Sequence, residues 1–413
     1  MPLNYYELLF KGKKPEKMKA DSYLWPEDLY TGKPLLPYEI SVSDQTTIDL
    51  VREAIEEWNS ATCIDFVEMT EGNYKRFAHQ ENLVIRNDTV CLFGFGRQEG
   101  IRQILLLGPP CLNKEEIVRG IGVNLGLLYQ VLRRDRDEYI TIHYDNFQWP
   151  KQPTDQWHHH STPYDFSSVM QHHGMWETEN SLLTLTTNDI RYQGILGRSR
   201  GKLSHRDKKT VNELYGCIRS WRVFCGFRSN PCFNEGYVGS DCNCVCRTGT
   251  EGAYCEHVLD DDYYGHLLSP CSQHIDKNST IESPLYIVKI VMPDTWCVWT
   301  IKAPKGQLIA LDFTFFQLNT TEDCQDSFLE IREKNMSNGT VFCGNSLADE
   351  IYVSDENELS VYLDVRNNIS QGFHADVVLF DPEILKLGSS PGSRLQLPPV
   401  LFILLCISIT LLP

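Results

Sequence analysis

Few residues in this 413-residue chain are of a type and spacing that could do chemistry. Histidines gather at His158-His159-His160 and at His172-His173, and imidazoles are common zinc ligands. Three consecutive histidines in a strand or loop point in different directions, which suits chelation poorly. A metal site needs three or four converging donors, so solvated loop histidines are the expectation. Arg119 is a cation inside an apolar stretch. It could hold a carbonyl or carboxylate in a cleft. The expected state is an ion pair with a neighbouring acid, because a lone buried charge needs a partner. Arg133-Arg134-Asp135-Arg136-Asp137 forms a charge run, expected to be a solvated, internally paired loop.

The apolar stretch is Ile117 to Tyr129. Ile117, Ile121, Leu125 and Leu128 fall at helical spacing, so a core helix is predicted over roughly 114–125. Upstream lies Gly96-Arg97-Gln98, with Cys91 and Cys111 around it. Downstream runs Arg133 to Ile140. Helix and flanks together resemble the astacin family of metalloendopeptidases, in which the helix reads H-E-x-x-H-x-x-G-x-x-H. In that pattern two histidines share a helix face and grip zinc, the glutamate takes a proton from metal-bound water, and the chain leaves the helix at the glycine. Laid on it without a gap, Arg119, Val123 and Tyr129 take the histidine positions, Gly120 takes the glutamate position, and Gly126 is kept.

The chemistry of those replacements is direct. Arginine repels a dication and stays protonated. Valine has no donor atom, one phenol does not make a zinc site, and glycine cannot move a proton. Ser168-Val169-Met170 resembles the family's methionine turn. His172 stands at the position of the tyrosine that lends the family a fifth zinc contact, with Gln171 before it. The resemblance alone implies a zinc-dependent metalloendopeptidase, which would here need an unconventional ligand set from local histidines. The residues themselves imply no zinc, no cofactor and no proteolysis. The expected function is then binding of an extracellular protein or peptide.

These residues must be positioned by a larger frame. Leu24-Trp25-Pro26 and Pro37-Tyr38-Glu39-Ile40 resemble the start of the family's mature domain. Ile48, Val51, Ile55 and Trp58 make one face of a helix, and Leu83-Val84-Ile85 and Ile104-Leu105-Leu106-Leu107 read as strands. The peptidase-like domain covers 22–217, and its resemblance implies disulfides Cys63–Cys217 and Cys91–Cys111. Residues 1–21 read as a propeptide remnant, with Lys13 where the family's latency aspartate would cap the metal. Residues 221–257 resemble an EGF-like module. The implied pairing is Cys225–Cys242, Cys232–Cys244 and Cys246–Cys255, where spacing alone leaves fifteen possibilities. Residues 271–381 resemble a CUB domain, an all-β sandwich with implied pairs Cys271–Cys297 and Cys324–Cys343. Many CUB domains bind calcium; the ligand positions here hold Asn319 and Ser327, with Asp326 one residue away, and calcium is not expected. The fold class is therefore α+β: a two-lobed metzincin-like domain, a small disulfide-rich module and an all-β sandwich.

A net charge of −17 argues against nucleic acid, whose phosphates need a basic face. Fifteen cysteines point to an oxidising compartment. Sequons begin at Asn87, Asn278, Asn319, Asn335, Asn338 and Asn368, and favour a secreted or surface glycoprotein. The first ten residues carry no basic n-region and no long apolar run, so no signal peptide is visible in this chain. Residues 382–396 read as a linker and 397–413 as an apolar tail. Small residues Gly388 to Ser390 ahead of that tail match a GPI-attachment signal; a short tail anchor is the runner-up. Membrane contact is expected only through this tail. Its removal would discard Cys406 and leave fourteen cysteines, all able to pair.

Overall fold

The computed structural model describes residues 23–77, 81–146, 162–178, 182–319, 324, 326–333, 339–366 and 368–382. The propeptide remnant, His158 to His160, Asn335, Asn338 and the apolar tail lie outside the described residues. The described chain divides into two units. One runs to Leu185 and resumes over Ile195–Leu267; the other comprises Thr186–Gly194 and the residues from Leu268 onward.

The first unit mixes helix and sheet. Strands β1 (Leu35–Ser41), β2 (Asp65–Glu68), β3 (Leu83–Asn87), β4 (Leu92–Phe93) and β5 (Gln103–Leu107) form one sheet in the order β2-β1-β3-β5-β4. All neighbours are parallel except β4, which lies antiparallel on the edge. Helix α1 (Gln45–Asn59) starts where the Asp44 side chain accepts from the Thr47 amide at 2.8 Å, a side-chain cap for an otherwise orphaned donor. It buries Val51, Ala54, Ile55 and Trp58, one helical stripe. Ile48, expected on that stripe, is only half-buried, and Thr47 is the buried residue one turn before Val51.

Helix α2 (Lys114–Asn124) carries the site. The Asn113 side chain caps it by accepting from the Glu116 amide at 3.0 Å. Every residue from Ile117 to Asn124 is buried. Trp58 Nε1 donates to Val118 O at 2.9 Å and ties α1 to α2. The helix ends at Gly126, φ +87°: Gly126 N donates to Val123 O and Leu127 N to Gly122 O, both at 3.0 Å. That double closure needs a left-handed residue, which only glycine adopts cheaply. Helices α3 (His205–Leu214) and α4 (Cys217–Phe224) follow, and the Cys63–Cys217 disulfide fastens the start of α4. A small cysteine module closes the unit with the pairs Cys225–Cys242, Cys232–Cys244 and Cys246–Cys255. Cys91 pairs with Cys111.

The second unit is built from two sheets. Naming its strands β6 (Gln273–Ile275), β7 (Ser279–Glu282), β8 (Thr295–Lys302), β9 (Leu308–Gln317), β10 (Ser327–Arg332), β11 (Thr340–Phe342), β12 (Ile351–Val353), β13 (Glu358–Val365) and β14 (Gly372–Phe380), the sheets run β6-β8-β13-β10-β11 and β7-β14-β9-β12. Alternating side chains such as Trp299, Ile309, Phe313, Phe373, Val361 and Leu363 fill a shared core, as two packed sheets require. Disulfides Cys271–Cys297 and Cys324–Cys343 complete seven bridges, so fourteen of the cysteines are paired. Among the described residues no helix is long and apolar enough to cross a membrane.

Candidate functional site

The residues at the metal-ligand positions meet in the first unit, between α2 and the turn at Ser168–Met170. Arg119 is 3% exposed. Its Nε donates to Val169 O at 2.7 Å, and its Nη2 reaches Gln171 O at 3.2 Å. Nη2 also pairs with Glu115 at 3.2 Å, and Nη1 pairs with Glu116. These acids lie one helical turn earlier, at the i−4 and i−3 spacing that faces a helix residue. Burial would lower the guanidinium pKa, but Glu116 and Glu115 outweigh it and hold it above its ordinary value. Burial raises the Glu115 carboxyl above its usual range, against the pull of Arg119. The expected ion pair is what the structure contains, and two backbone carbonyls add to it.

Gly120 packs where a glutamate side chain would have to project. A Cβ there would stand 3.0 Å from Phe93 Cδ1 and 3.1 Å from Leu105 Cδ1. At Gly122 it would stand 2.8 Å from Met170 Sδ and 3.0 Å from Trp58 Cζ2, so helix and turn touch through a missing side chain. Val123 is fully buried. Tyr129 is buried with its ring 4.6 Å from that of His172, and His172 stacks on Trp176 at 3.9 Å with planes 2° apart. Among the described residues His172 Nε2 has no hydrogen-bond partner. Burial, then the charge of Arg119 and of His173, push its pKa well below the ordinary histidine value, so the ring is neutral.

The turn opposite is anchored by α3. Ser168 Oγ donates to Asp207 Oδ1 at 2.6 Å, and Val169 N donates to Asp207 Oδ2 at 2.9 Å. Burial, then the nearby Asp165, raises the Asp207 carboxyl to about 6. Gln130 N donates to Met170 O at 3.0 Å. Gln171 is fully buried and accepts from Tyr164 OH at 2.6 Å.

Zinc does not fit this donor set. The three ligand positions hold a protonated guanidinium, an isopropyl group and a phenol, and the base position holds no side chain. Among the described residues no group of three or more His, Cys, Asp or Glu converges to hold a metal ion.

Two sequence expectations need correction. His172 is buried in an aromatic stack rather than solvated; His173 is exposed. The run Arg133 to Asp137 is paired but solvated only in part: Arg134 and Asp137 are exposed, while Arg133 and Arg136 are buried. Arg133 grips Asp135 at 2.6 and 2.8 Å and donates to Thr162 O at 3.0 Å, while Arg136 donates to Val131 O at 2.6 Å. Their guanidinium groups satisfy carbonyls of the irregular chain that follows α2, which explains why they lie inside. Glu115, Glu116, Phe93, Trp176 and Asp207 were missed as parts of the site. Only the two glutamates had a signal, their spacing from Arg119.

In the second unit, Asn319 Nδ2 donates to Ile369 O at 2.6 Å, and Ser327 is fully buried. The Arg366 guanidinium donates to Asp364 Oδ2 at 3.1 Å, and the Arg366 backbone amide donates to the Asp326 carbonyl at 2.8 Å. Asn87, Asn278, Asn319 and Asn368 are exposed.

A family model described as Astacin, a peptidase family, matches residues 24–216, and a CUB domain model matches residues 271–377. The chain is similar to Protein SpAN of Strongylocentrotus purpuratus, 29% identical over 356 residues, covering 84% of this chain and 56% of that protein. It is similar to Blastula protease 10 of Paracentrotus lividus, 29% identical over 374 residues, covering 88% and 60%. It thus spans less than two thirds of the length of either relative. Among solved structures, High choriolytic enzyme 1, a hatching enzyme zinc-protease from Oryzias latipes, aligns at a TM-score of 0.43 and 24% identity, over 49% of this chain and 98% of that one.

Proposed function

Because the chain carries an Astacin peptidase-family domain ahead of a CUB domain, in the company of zinc-metalloproteinase relatives, we propose that it is a protein-binding homologue without zinc or proteolytic activity. Astacin and CUB domains are typical of extracellular or secreted proteins. The proposed partner is accordingly an extracellular protein or peptide, not nucleic acid. Surface attachment, where it occurs, is through the apolar tail after a GPI-type signal, and the exposed sequons carry glycans.

The observation that carries this reading is Arg119. Its guanidinium stands at the first ligand position, tied to Glu115, Glu116, Val169 O and Gln171 O. A cation so held repels a dication and has its donors engaged within the protein. The test is to express the full chain in an oxidising host, measure zinc by elemental analysis, and assay cleavage of casein with and without chelator. Neither stoichiometric zinc nor chelator-sensitive cleavage is expected. One zinc per chain that chelator removes, together with cleavage that chelator abolishes, would sink the reading in favour of a zinc-dependent metalloendopeptidase.

A further inference from the structure

Helix α4 leads out of the peptidase-like domain and into the cysteine module, and its outer face combines arginines with exposed apolar side chains. The segment Arg219-Ser220-Trp221-Arg222-Val223-Phe224-Cys225-Gly226-Phe227-Arg228 carries three arginines. No acid occurs between Glu213 and Glu235, in a chain of net charge −17. Several buried arginines elsewhere are paired: Arg119 with Glu115 and Glu116, Arg133 with Asp135, Arg206 with Glu235. Arg219, Arg222 and Arg228 have no ion pair among the described residues.

The apolar side chains beside them face outward. Val223 is 68% exposed and Phe224 81% exposed, one turn on from exposed Arg219 and Ser220, while Cys217 and Ile218 hold the inner face. Large apolar groups left in water beside unpaired cations mark a surface made to be covered. The platform is fixed before any partner arrives. Cys63–Cys217 clamps the start of α4 and Cys225–Cys242 clamps its end. At the C-terminus, Phe227 N donates to Arg222 O at 2.9 Å and Gly226 N to Val223 O at 3.1 Å, with Gly226 at φ +76°. Little conformational freedom is left to lose on binding, which favours affinity.

We propose that the outer face of α4 docks an acidic, aromatic-bearing segment of a partner protein. Charge complementarity sets the sign of that segment, since exposed Arg219 and Arg228 and half-buried Arg222, none in an ion pair among the described residues, attract carboxylates and suit their planar geometry. Composition favours protein over a sulfated polysaccharide or a lipid surface. The cations are all arginine, with no lysine between Lys209 and Lys277, and they alternate with aromatic side chains. Arginine and aromatic residues are enriched in protein interfaces, where lysine is depleted. This inference rests on the binding role proposed above for the class of its partner, and it locates that role away from Arg119.

The test uses the full chain and three probes: a random glutamate–tyrosine copolymer, heparin, and vesicles of phosphatidylserine and phosphatidylcholine. Surface plasmon resonance should record saturable binding to the copolymer that weakens at high salt. Arg219→Glu with Arg228→Glu, and separately Phe224→Ser, should each weaken it by about tenfold or more. All three positions are exposed, and an unchanged thermal midpoint verifies that the variants fold. Absence of copolymer binding overturns the proposal, as does binding that these changes leave intact. Tighter binding to heparin or vesicles through the same residues also overturns it. Failure here alongside a negative zinc and casein assay removes only the docking face; a positive zinc and casein assay removes the non-catalytic reading and leaves the docking result to stand on its own.

Discussion

Gly120 and Phe93 share one space: a Cβ on the helix residue would lie 3.0 Å from Cδ1 of the edge-strand ring. A glutamate at that position would meet Phe93 and Leu105 at its first side-chain carbon, before its carboxyl was placed. A side chain at position 120 therefore requires Phe93 and Leu105 to give way by a few tenths of an ångström. Restoring the ligand pattern with Arg119→His, Gly120→Glu, Val123→His and Tyr129→His is expected to give a chain without stoichiometric zinc. Adding Phe93→Ala should raise zinc content. Gly120→Glu alone should cost about 3 kcal/mol in urea unfolding, from overpacking and a carboxyl in apolar surroundings.

Arg119→Met keeps much of the side-chain volume and removes the charge. It strands Glu115, which is largely buried, and leaves Val169 O and Gln171 O short of a donor. Breaking a buried pair in this way costs about 3–5 kcal/mol. The urea midpoint of the variant should fall accordingly, and Glu115→Gln with Glu116→Gln in the same chain should recover part of the loss.

Asp207 gives the fold a pH dependence with a definite sign. Its carboxyl is raised from 3.8 to about 6, so between those values the folded state holds more protons than the unfolded one. Its contribution is most favourable below the unfolded pKa and is lost as pH rises through the folded one. The size is about 3 kcal/mol. Asp207→Asn should flatten that part of the stability profile between pH 4 and 6. An unchanged profile would assign the slope to other groups.

His172 acts in the opposite direction. It stays neutral when folded, while the unfolded chain takes up a proton below 6.5, so stability is lost as pH falls below 6.5. His172→Phe preserves the ring between Tyr129 and Trp176 and cannot protonate. Relative to the parent it should gain about 1.4 kcal/mol for each pH unit below 6.5, read from unfolding at several pH values.

The frame was legible from the sequence because its signals are local. Val51, Ile55 and Trp58 fall at helical spacing and are buried in α1, and Ile104 to Leu107 lie within a strand. The pairs Cys225–Cys242, Cys232–Cys244 and Cys246–Cys255, which spacing alone left open, agree with the resemblance to an EGF-like module. The site was legible only on its helix. Arg119 announced a need for acids, and Glu115 and Glu116 stood one turn away. Phe93, Trp176 and Asp207 come from other elements, and nothing in their own neighbourhoods assigns them to α2. The burial of His172 and Arg133 was misjudged for the same reason: a polar residue in a loop reads as solvated until the carbonyls and rings around it are known.

The Cys63–Cys217 bridge joins residues 154 positions apart, and Cys225 follows only eight residues after its second half. During synthesis Cys63 emerges long before its partner. Cys91 and Cys111, separated by 20 residues, can join while it waits. When Cys217 and Cys225 at last appear they arrive nearly together, and the waiting thiol can take either. A wrong choice would leave Cys242 without its mate and the following module without its first staple. The order of synthesis thus makes the junction at α4 the step at which a disulfide isomerase matters most to the yield of correctly paired chain.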